Sequence, residues 1–456
     1  MIRIIIILGI FVNYLAYEDF YSTIFFLGIY LLSKLTSNFL VKTERNTERE
    51  LALWICSSIY LLSGIVELLI INFGTELTVG PDASRLFRFA SDPTWNLRSF
   101  VYENIPGYSI TKSAGFKEDF LPILVWNKCY SFFNFFSFPP GRYIGVAINT
   151  IFIVWTSFIG LSILRSINEL NNKKTEDFYK ILFCANGILW MYGALHLREA
   201  LILFIISLLL KVWIDWINKK SFFNLIKLGI ISITYYLSAD YVRGGYSIIL
   251  GAFVLSFVIV NIYQSISEKK ITIIQLLTVP IIIGLIIFNS DFLKNAFFYF
   301  VERFEAYNQI SAESSDYGSI GIVLLKQPFL IRCLFSIFYL LFMPIPIWSI
   351  IENNTLSIYH VFKSSFAIYN YLTIPFLIII IRESVQYFKR IDQTKLFLIS
   401  LYILTTLAIG ITSLETRHYG NFSLIFIILI SYFNWDFNLY KAEYRKILSY
   451  LFLFLF

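Results

Sequence analysis

Apolar segments of about 17–24 residues recur along almost the whole chain, each long enough to cross the roughly 30 Å hydrocarbon layer of a bilayer as a helix. No other property limits the fold as severely. A backbone inside lipid must satisfy its own hydrogen bonds, which leaves helices or a closed barrel. Barrel strands alternate apolar and polar residues, whereas these runs are unbroken. The chain has 456 residues, of which 57% are hydrophobic and 15% charged, with a mean hydropathy of +0.70. Those values lie outside the soluble globular range. The predicted fold class is all-α: a polytopic helical membrane protein in a single integral membrane domain, with roughly 13 or 14 spans.

Spans are predicted at 2–16, 20–40, 51–73, 141–164, 178–195, 199–217, 224–238, 245–263, 271–289, 333–350, 364–381, 396–412 and 421–436. The first lacks a small-residue cleavage site and reads as a retained span. Basic residues crowd Lys34–Arg49, Arg165–Lys180, Lys211–Lys227, Lys269–Lys270, Arg382–Lys395 and Lys441–Lys446. The positive-inside rule sends those loops, and both termini, to the cytoplasm. The net charge of +7 follows this topological pattern and is not a nucleic-acid signature. Phe120–Phe138 is apolar enough to cross, but a crossing there would turn three basic loops outward. It is therefore laid on the outer face as an interfacial or re-entrant helix over about 119–138. One further crossing is needed between Asn289 and Arg332, and Gly318–Ile331 is the apolar stretch available for it. Residues 74–117 form a long, polar, outer loop with Pro81, Pro93 and Pro106. Its aromatic residues favour an ordered loop, and loops of that length are commonly functional.

Charged residues gather at the span ends assigned to the outer face. His196-Leu197-Arg198-Glu199 lies between two short spans with almost nothing separating them. Charges at that depth cost several kcal/mol unless they pair or face water. The bland alternative is a snorkelling Arg198 with Glu199 as its local partner. Asp240 and Arg243 precede Gly244-Gly245, and Arg243 is suited to phosphate oxygens. The alternative there is an Asp–Arg pair anchoring the hairpin. Glu415, Arg417 and His418 bring carboxylate, guanidinium and imidazole into one turn, and imidazole can accept a hydroxyl proton near neutral pH. Asp82, with Arg85 and Arg88 beyond it, opens the long loop. It reads as an acceptor-sugar or phosphate site, or as a helix cap. Arg303, with Glu302 and Glu305, reads as the polar face of a surface helix. His196, His360 and His418 are the only histidines and show no metal-ligand spacing, and Cys56, Cys129, Cys184 and Cys333 read as core residues. No metal, cofactor or nucleic-acid partner is expected.

This layout resembles the bacterial polysaccharide repeat-unit polymerases, which include the O-antigen, capsular and exopolysaccharide polymerases. The resemblance rests on Gly80-Pro81-Asp82 after an early span and Gly115-Phe116 before an apolar helix. It also rests on Arg198 at the start of a span, Arg303 to Tyr307, Pro344-Ile345-Pro346, and Arg417 before the last long span. The chain departs from the pattern at Ala114, where an acidic residue often stands. The resemblance implies a lipid-carrier-dependent glycosyltransferase of the bacterial cytoplasmic membrane. Its donor and acceptor would be undecaprenyl-pyrophosphate-linked glycans, with a chain-length regulator as a further partner. Arg198, Arg243 and Arg417 would hold the pyrophosphate. Proton-acceptor candidates are His418, Asp82, Glu199 and Glu415. Arg85, Arg88, His196, Asp240 and Arg303 remain as additional substrate contacts. A lipid-linked-oligosaccharide flippase or transporter, an O-antigen ligase and a polyprenyl-phosphate-sugar transferase stand as alternatives.

Overall fold

The structure, a computed structural model, describes residues 2–40, 46–92, 119–167, 173–243, 246–268, 324, 327–342, 351–352, 355–386, 391–412, 416–433 and 437–455. Helices α1 (Ile2–Tyr17), α2 (Tyr21–Leu40), α3 (Asn46–Phe73) and α4 (Thr75–Ser91) come first. They are followed by α5 (Phe120–Phe135), α6 (Arg142–Ile167), α7 (Lys173–Cys184), α8 (Gly187–Ala194), α9 (Glu199–Asn218) and α10 (Phe222–Val242). A 3-10 turn, Tyr246–Ile248, leads into α11 (Ile249–Glu268), and α12 spans Phe329–Phe342. A two-residue hairpin pairs Ile351–Glu352 with Thr355–Leu356. The chain then forms α13 (Ile358–Gln386), α14 (Gln393–Thr412), α15 (Thr416–Gly420), α16 (Ser423–Tyr432) and α17 (Phe437–Leu455).

Among the described residues, seven helices are long and apolar enough to cross a membrane: α3, α6, α9, α10, the Tyr246–Gln264 segment, α13 and α14. The protein is thus a multi-pass helical membrane protein. Helices α1 and α16 are apolar but shorter. The span expected at 271–289 and most of the crossing expected before Arg332 lie outside the described residues.

Helix α6 is the axis of the bundle: 94% of its apolar window is buried, against 17% for α10. The hydrophobic effect cannot separate these two in lipid, so close packing and polar contacts must. The α1–α3 crossing shows how. A Cβ on Gly9 would lie 2.8 Å from the Tyr60 ring, and one on Gly64 would lie 2.7 Å from Asn13. Asn13 uses that proximity to donate to the carbonyls of Gly9 at 2.9 Å and Tyr60 at 2.8 Å. At the end of α6 away from Arg142, Arg165 joins Glu48 of α3 and binds Glu176 of α7 through two bonds of 2.8 and 3.0 Å. A forked guanidinium thus fastens three helices.

Four elements differ from the sequence reading. Residues 75–91 are helix rather than loop. Gly74, with φ +83°, redirects the chain after α3, in a backbone region that glycine enters at little cost, and α4 follows at once. Asp82 consequently sits well inside α4, not at its start. The expected 178–195 span is broken at Ala185–Asn186. There the Asn186 side chain accepts from the Ile188 amide at 3.2 Å and starts a new helix, as side-chain N-caps do. The expected 421–436 span is shorter, and the basic segment after it is helix α17. Tyr444 of α17 donates to the Leu372 carbonyl at 2.9 Å and its ring lies 4.8 Å from Phe376, which places α17 along α13. Helix α5 buries Ile123, Trp126, Asn127 and Tyr130 and exposes Phe132 and Phe135, with Phe136 exposed just beyond its end. Its Asn127 amide caps the end of α4, donating to the carbonyls of Ala90 at 3.2 Å and Asp92 at 3.0 Å.

Candidate functional site: a buried arginine cluster

The turn between α8 and α9 carries the site. It is enclosed by protein, with Leu195, His196, Leu197, Arg198 and Glu199 all buried. Asn149, a polar residue inside apolar α6, holds it in place. The Asn149 side chain donates to the carbonyls of Tyr192 at 3.1 Å and Leu197 at 2.9 Å, and accepts from the Trp126 indole at 3.1 Å. One amide thereby satisfies the end of α8, the approach to α9 and a buried indole, each costly to leave unpaired.

His196 adopts φ +55°, a region unusual for a residue with a Cβ. Its ring lies 4.3 Å from Trp126 and 5.8 Å from Phe87. It fits because residue 145 is glycine: a Cβ there would sit 1.9 Å from the imidazole. Nε2 is 3.4 Å from the Tyr130 hydroxyl. Burial, with the Arg142 cation nearby, pushes the His196 pKa down to about 3. Arg142 pairs with Glu67 at 3.8 Å and lies 4.6 Å from the Phe87 ring.

Two carboxylates organise four arginines. Asp119, at the start of α5, binds Arg85 of α4 at 2.7 Å through one oxygen and Arg198 through the other. Glu199 Oε1 lies 3.3 Å from Arg243 Nη1 and 3.3 Å from Arg417 Nε. The arginine side chains of Arg198, Arg243 and Arg417 are 8–13% exposed and Glu199 is 1% exposed. Arg198 and Glu199 are thus not each other's partners, as a snorkelling pair would be. Each reaches to a different neighbour and joins the two halves of the cluster through consecutive residues.

Tyrosines fix the far half. Tyr192 of α8 donates its hydroxyl to the Arg417 carbonyl, and Asn421 donates to the Tyr246 hydroxyl at 2.8 Å. The Arg243 guanidinium stands 5.7 Å from the Tyr246 ring. The loops bearing Arg243 and Arg417 are therefore tied together independently of Glu199. His418 is buried. Burial pushes its pKa well below the usual histidine value, and Arg243, Arg417, Arg198 and Lys363 add to the shift. The imidazole is neutral at physiological pH, the form able to accept a proton.

The predicted residues divide. Arg85, Arg198, Glu199, Arg243, Arg417, His196 and His418 belong to this one region. Asp240 does not pair with Arg243. Both its oxygens accept from Ser247, at 3.1 Å from the amide and 3.0 Å from the hydroxyl, so Asp240 closes the turn into α11. Arg88 is exposed, 5.4 Å from the ring of its neighbour Phe89. It lies one turn beyond Arg85 on α4 but does not join Asp119. The Asp82 side chain, Glu415 and Arg303 lie outside the described residues. Asp119, Arg142 and Asn149 were not predicted. Asn149 left a signal, being polar at the heart of an apolar run. Asp119 left only its place at the head of the apolar 120–138 segment.

Among the described residues no cluster of histidine, cysteine and carboxylate side chains could hold a metal ion. A groove of about 590 Å³ lies elsewhere, lined by apolar residues including Trp54, Leu61, Ile181 and Trp190 together with Lys180. Lys180 is engaged by Glu50 at 2.5 Å and Asp177 at 3.3 Å, so the groove offers little to an anion. Compared with family models, curated proteins and solved structures, the chain matches none.

Proposed function

We propose that the protein is a membrane glycosyltransferase that polymerises undecaprenyl-pyrophosphate-linked oligosaccharide repeat units at the outer face of the bacterial cytoplasmic membrane. The observation that carries this reading is the convergence of four arginines, from α4, the α8–α9 turn, the end of α10 and α15, on two adjoining carboxylates. Guanidinium groups match phosphate oxygens in charge and planar geometry. Gathering them inside a membrane protein costs several kcal/mol per ion after relaxation, which a purely structural role does not require.

In this reading the arginines bind the diphosphate of the donor and stabilise the charge that develops as it leaves. The acceptor hydroxyl oxygen attacks the anomeric carbon, the bond from that carbon to the phosphate oxygen breaks, and undecaprenyl diphosphate departs. His418 takes the hydroxyl proton. General-base help of this kind contributes about 10²–10⁴-fold. Asp119 holds Arg85 and Arg198 in place. The low pKa of His418 has a sign: its neutral form persists well below pH 6.5. The acid limb of the transfer rate should therefore fall at a lower pH than a solvent-exposed histidine would give.

The test is the purified protein in lipid nanodiscs supplied with one lipid-linked repeat unit. Lengthening of the lipid-linked glycan is expected. Movement between leaflets without covalent change would replace the proposal with a flippase, and transfer to a different lipid core would replace it with a ligase. In the same assay His418→Ala should slow single-turnover transfer by about a hundredfold or more while substrate still binds.

A further inference from the structure

The two carboxylates in the arginine cluster are not used alike. Asp119 engages one arginine with each oxygen, and the Arg85 contact is 2.7 Å. Glu199 meets Arg243 and Arg417 through the same oxygen, each at 3.3 Å. Its second oxygen is buried and finds no hydrogen-bond partner among the described residues. A buried acceptor left in that state is unfavourable. Glu199 is thus a loosely held counter-ion in a place where a tighter one could be built. The contrast with Arg165, which grips Glu176 through two bonds of 2.8 and 3.0 Å, shows that the chain does build them.

Arg243 and Arg417 do not depend on Glu199 for their placement, because Tyr192, Tyr246 and Asn421 fix their loops. An anion entering between the two guanidinium groups must therefore compete with the Glu199 carboxylate. A ligand with one negative charge merely replaces one charge by another and leaves a buried carboxylate behind. A ligand with two or more gains net attraction. A bilayer contains many monoanionic phosphodiester headgroups, so an arginine site inside a membrane protein needs some means of refusing them.

We propose that Glu199 is a specificity-determining residue that holds the Arg243–Arg417 pair closed to monoanionic phosphodiesters and yields it to a diphosphate. This rests on the reading of the cluster as an anion site and adds to it the rule by which anions are sorted.

The experiment measures binding of inorganic pyrophosphate to the purified full-length protein in nanodiscs by calorimetry. One set of nanodiscs contains phosphatidylcholine alone, and the other contains a large fraction of phosphatidylglycerol, a monoanionic phosphodiester. Wild type should bind pyrophosphate with nearly the same affinity in both. Glu199→Gln, which keeps the shape and removes the charge, should bind about tenfold more tightly in phosphatidylcholine, equivalent to about 1.4 kcal/mol. It should lose most of that gain when phosphatidylglycerol is present. Glu199→Asp should keep the wild-type lipid insensitivity. Weaker binding by a folded Glu199→Gln would overturn the proposal, since Glu199 would then be organising the arginines. Wild type alone supplies a second measurement: dimethyl phosphate should bind at least a hundredfold more weakly than pyrophosphate, and equal affinities would refute the sorting rule. Wild-type binding that Arg243→Ala and Arg417→Ala leave unchanged, or no binding at all, would instead remove the anion-site reading on which this rests.

Discussion

An imidazole stays in the left-handed backbone region at His196, φ +55°, only because its surroundings hold it there. Trp126 packs tilted against the ring, Tyr130 meets Nε2, and the missing Cβ of Gly145 makes the space. Such local strain persists where neighbouring structure over-determines it. Gly145→Ala should therefore displace His196 and lower the thermal unfolding midpoint, with a cost of about 1–3 kcal/mol from overpacking. An unchanged midpoint would show that the ring has room to move. Acid provides a second residue-scale check. The unfolded chain takes up a proton near pH 6.5, while the folded His196 resists it down to about 3. Stability should thus fall as pH drops through that window, by up to about 1.4 kcal/mol per pH unit. Asparagine tolerates positive φ and carries no titrating group. His196→Asn should make the unfolding midpoint less sensitive to acid between pH 7 and 5, and parallel slopes for wild type and variant would contradict the assignment. At this scale the sequence exposed most of the site's arginines and Glu199, but not Asp119 and not the pairings. Arg198, Glu199, Arg243 and Arg417 were conspicuous as charges beside apolar runs. That Arg198 seeks Asp119, while Glu199 seeks Arg243 and Arg417, depends on helices brought together from distant parts of the chain, and no spacing encodes it.

Helices were legible where an apolar run was long, as for α3, α6, α9 and α14, because length and hydropathy alone decide them. The failures have local causes. One glycine turns the chain between α3 and α4, and one asparagine side chain divides α7 from α8. Helix α17 carries Lys441, Arg445 and Lys446, which the sequence places in a cytoplasmic loop. Its docking on α13 supplies order that composition does not announce. The Asn149 bridge is the clearest statement at this scale, since α5, α6, α8 and the turn into α9 all meet through it. Asn149→Leu would strand two carbonyls and an indole N–H, at about 1–3 kcal/mol for each group left unsatisfied. The expected outcome is a lower unfolding midpoint together with loss of transfer activity, since the turn bearing Arg198 and Glu199 would no longer be fixed. Retention of both would show that the bridge is dispensable.

At the scale of the whole molecule, the arginine cluster and the Arg165–Glu48–Glu176 clamp occupy opposite ends of α6, one at its Arg142 end and one at Arg165. The basic loops predict that the first faces outward and the second the cytoplasm. In a cysteine-free background, a cysteine at the exposed Ser137 should react with an impermeant thiol reagent on intact cells, and one at the exposed Lys219 only after lysis. The reverse pattern would place the cluster on the cytoplasmic side, away from any outer-face substrate. The central claim is that buried guanidinium forks grip the donor's diphosphate. Its most direct test is single-turnover transfer of a lipid-linked repeat unit by wild type and by Arg198→Lys, Arg243→Lys and Arg417→Lys at matched expression and folding. Lysine keeps the charge but loses the planar fork. The account predicts that each lysine variant loses most of the transfer rate and that each alanine counterpart loses nearly all of it. Wild-type rates in all three alanine variants would contradict it and leave the arginines as anchors of the bundle.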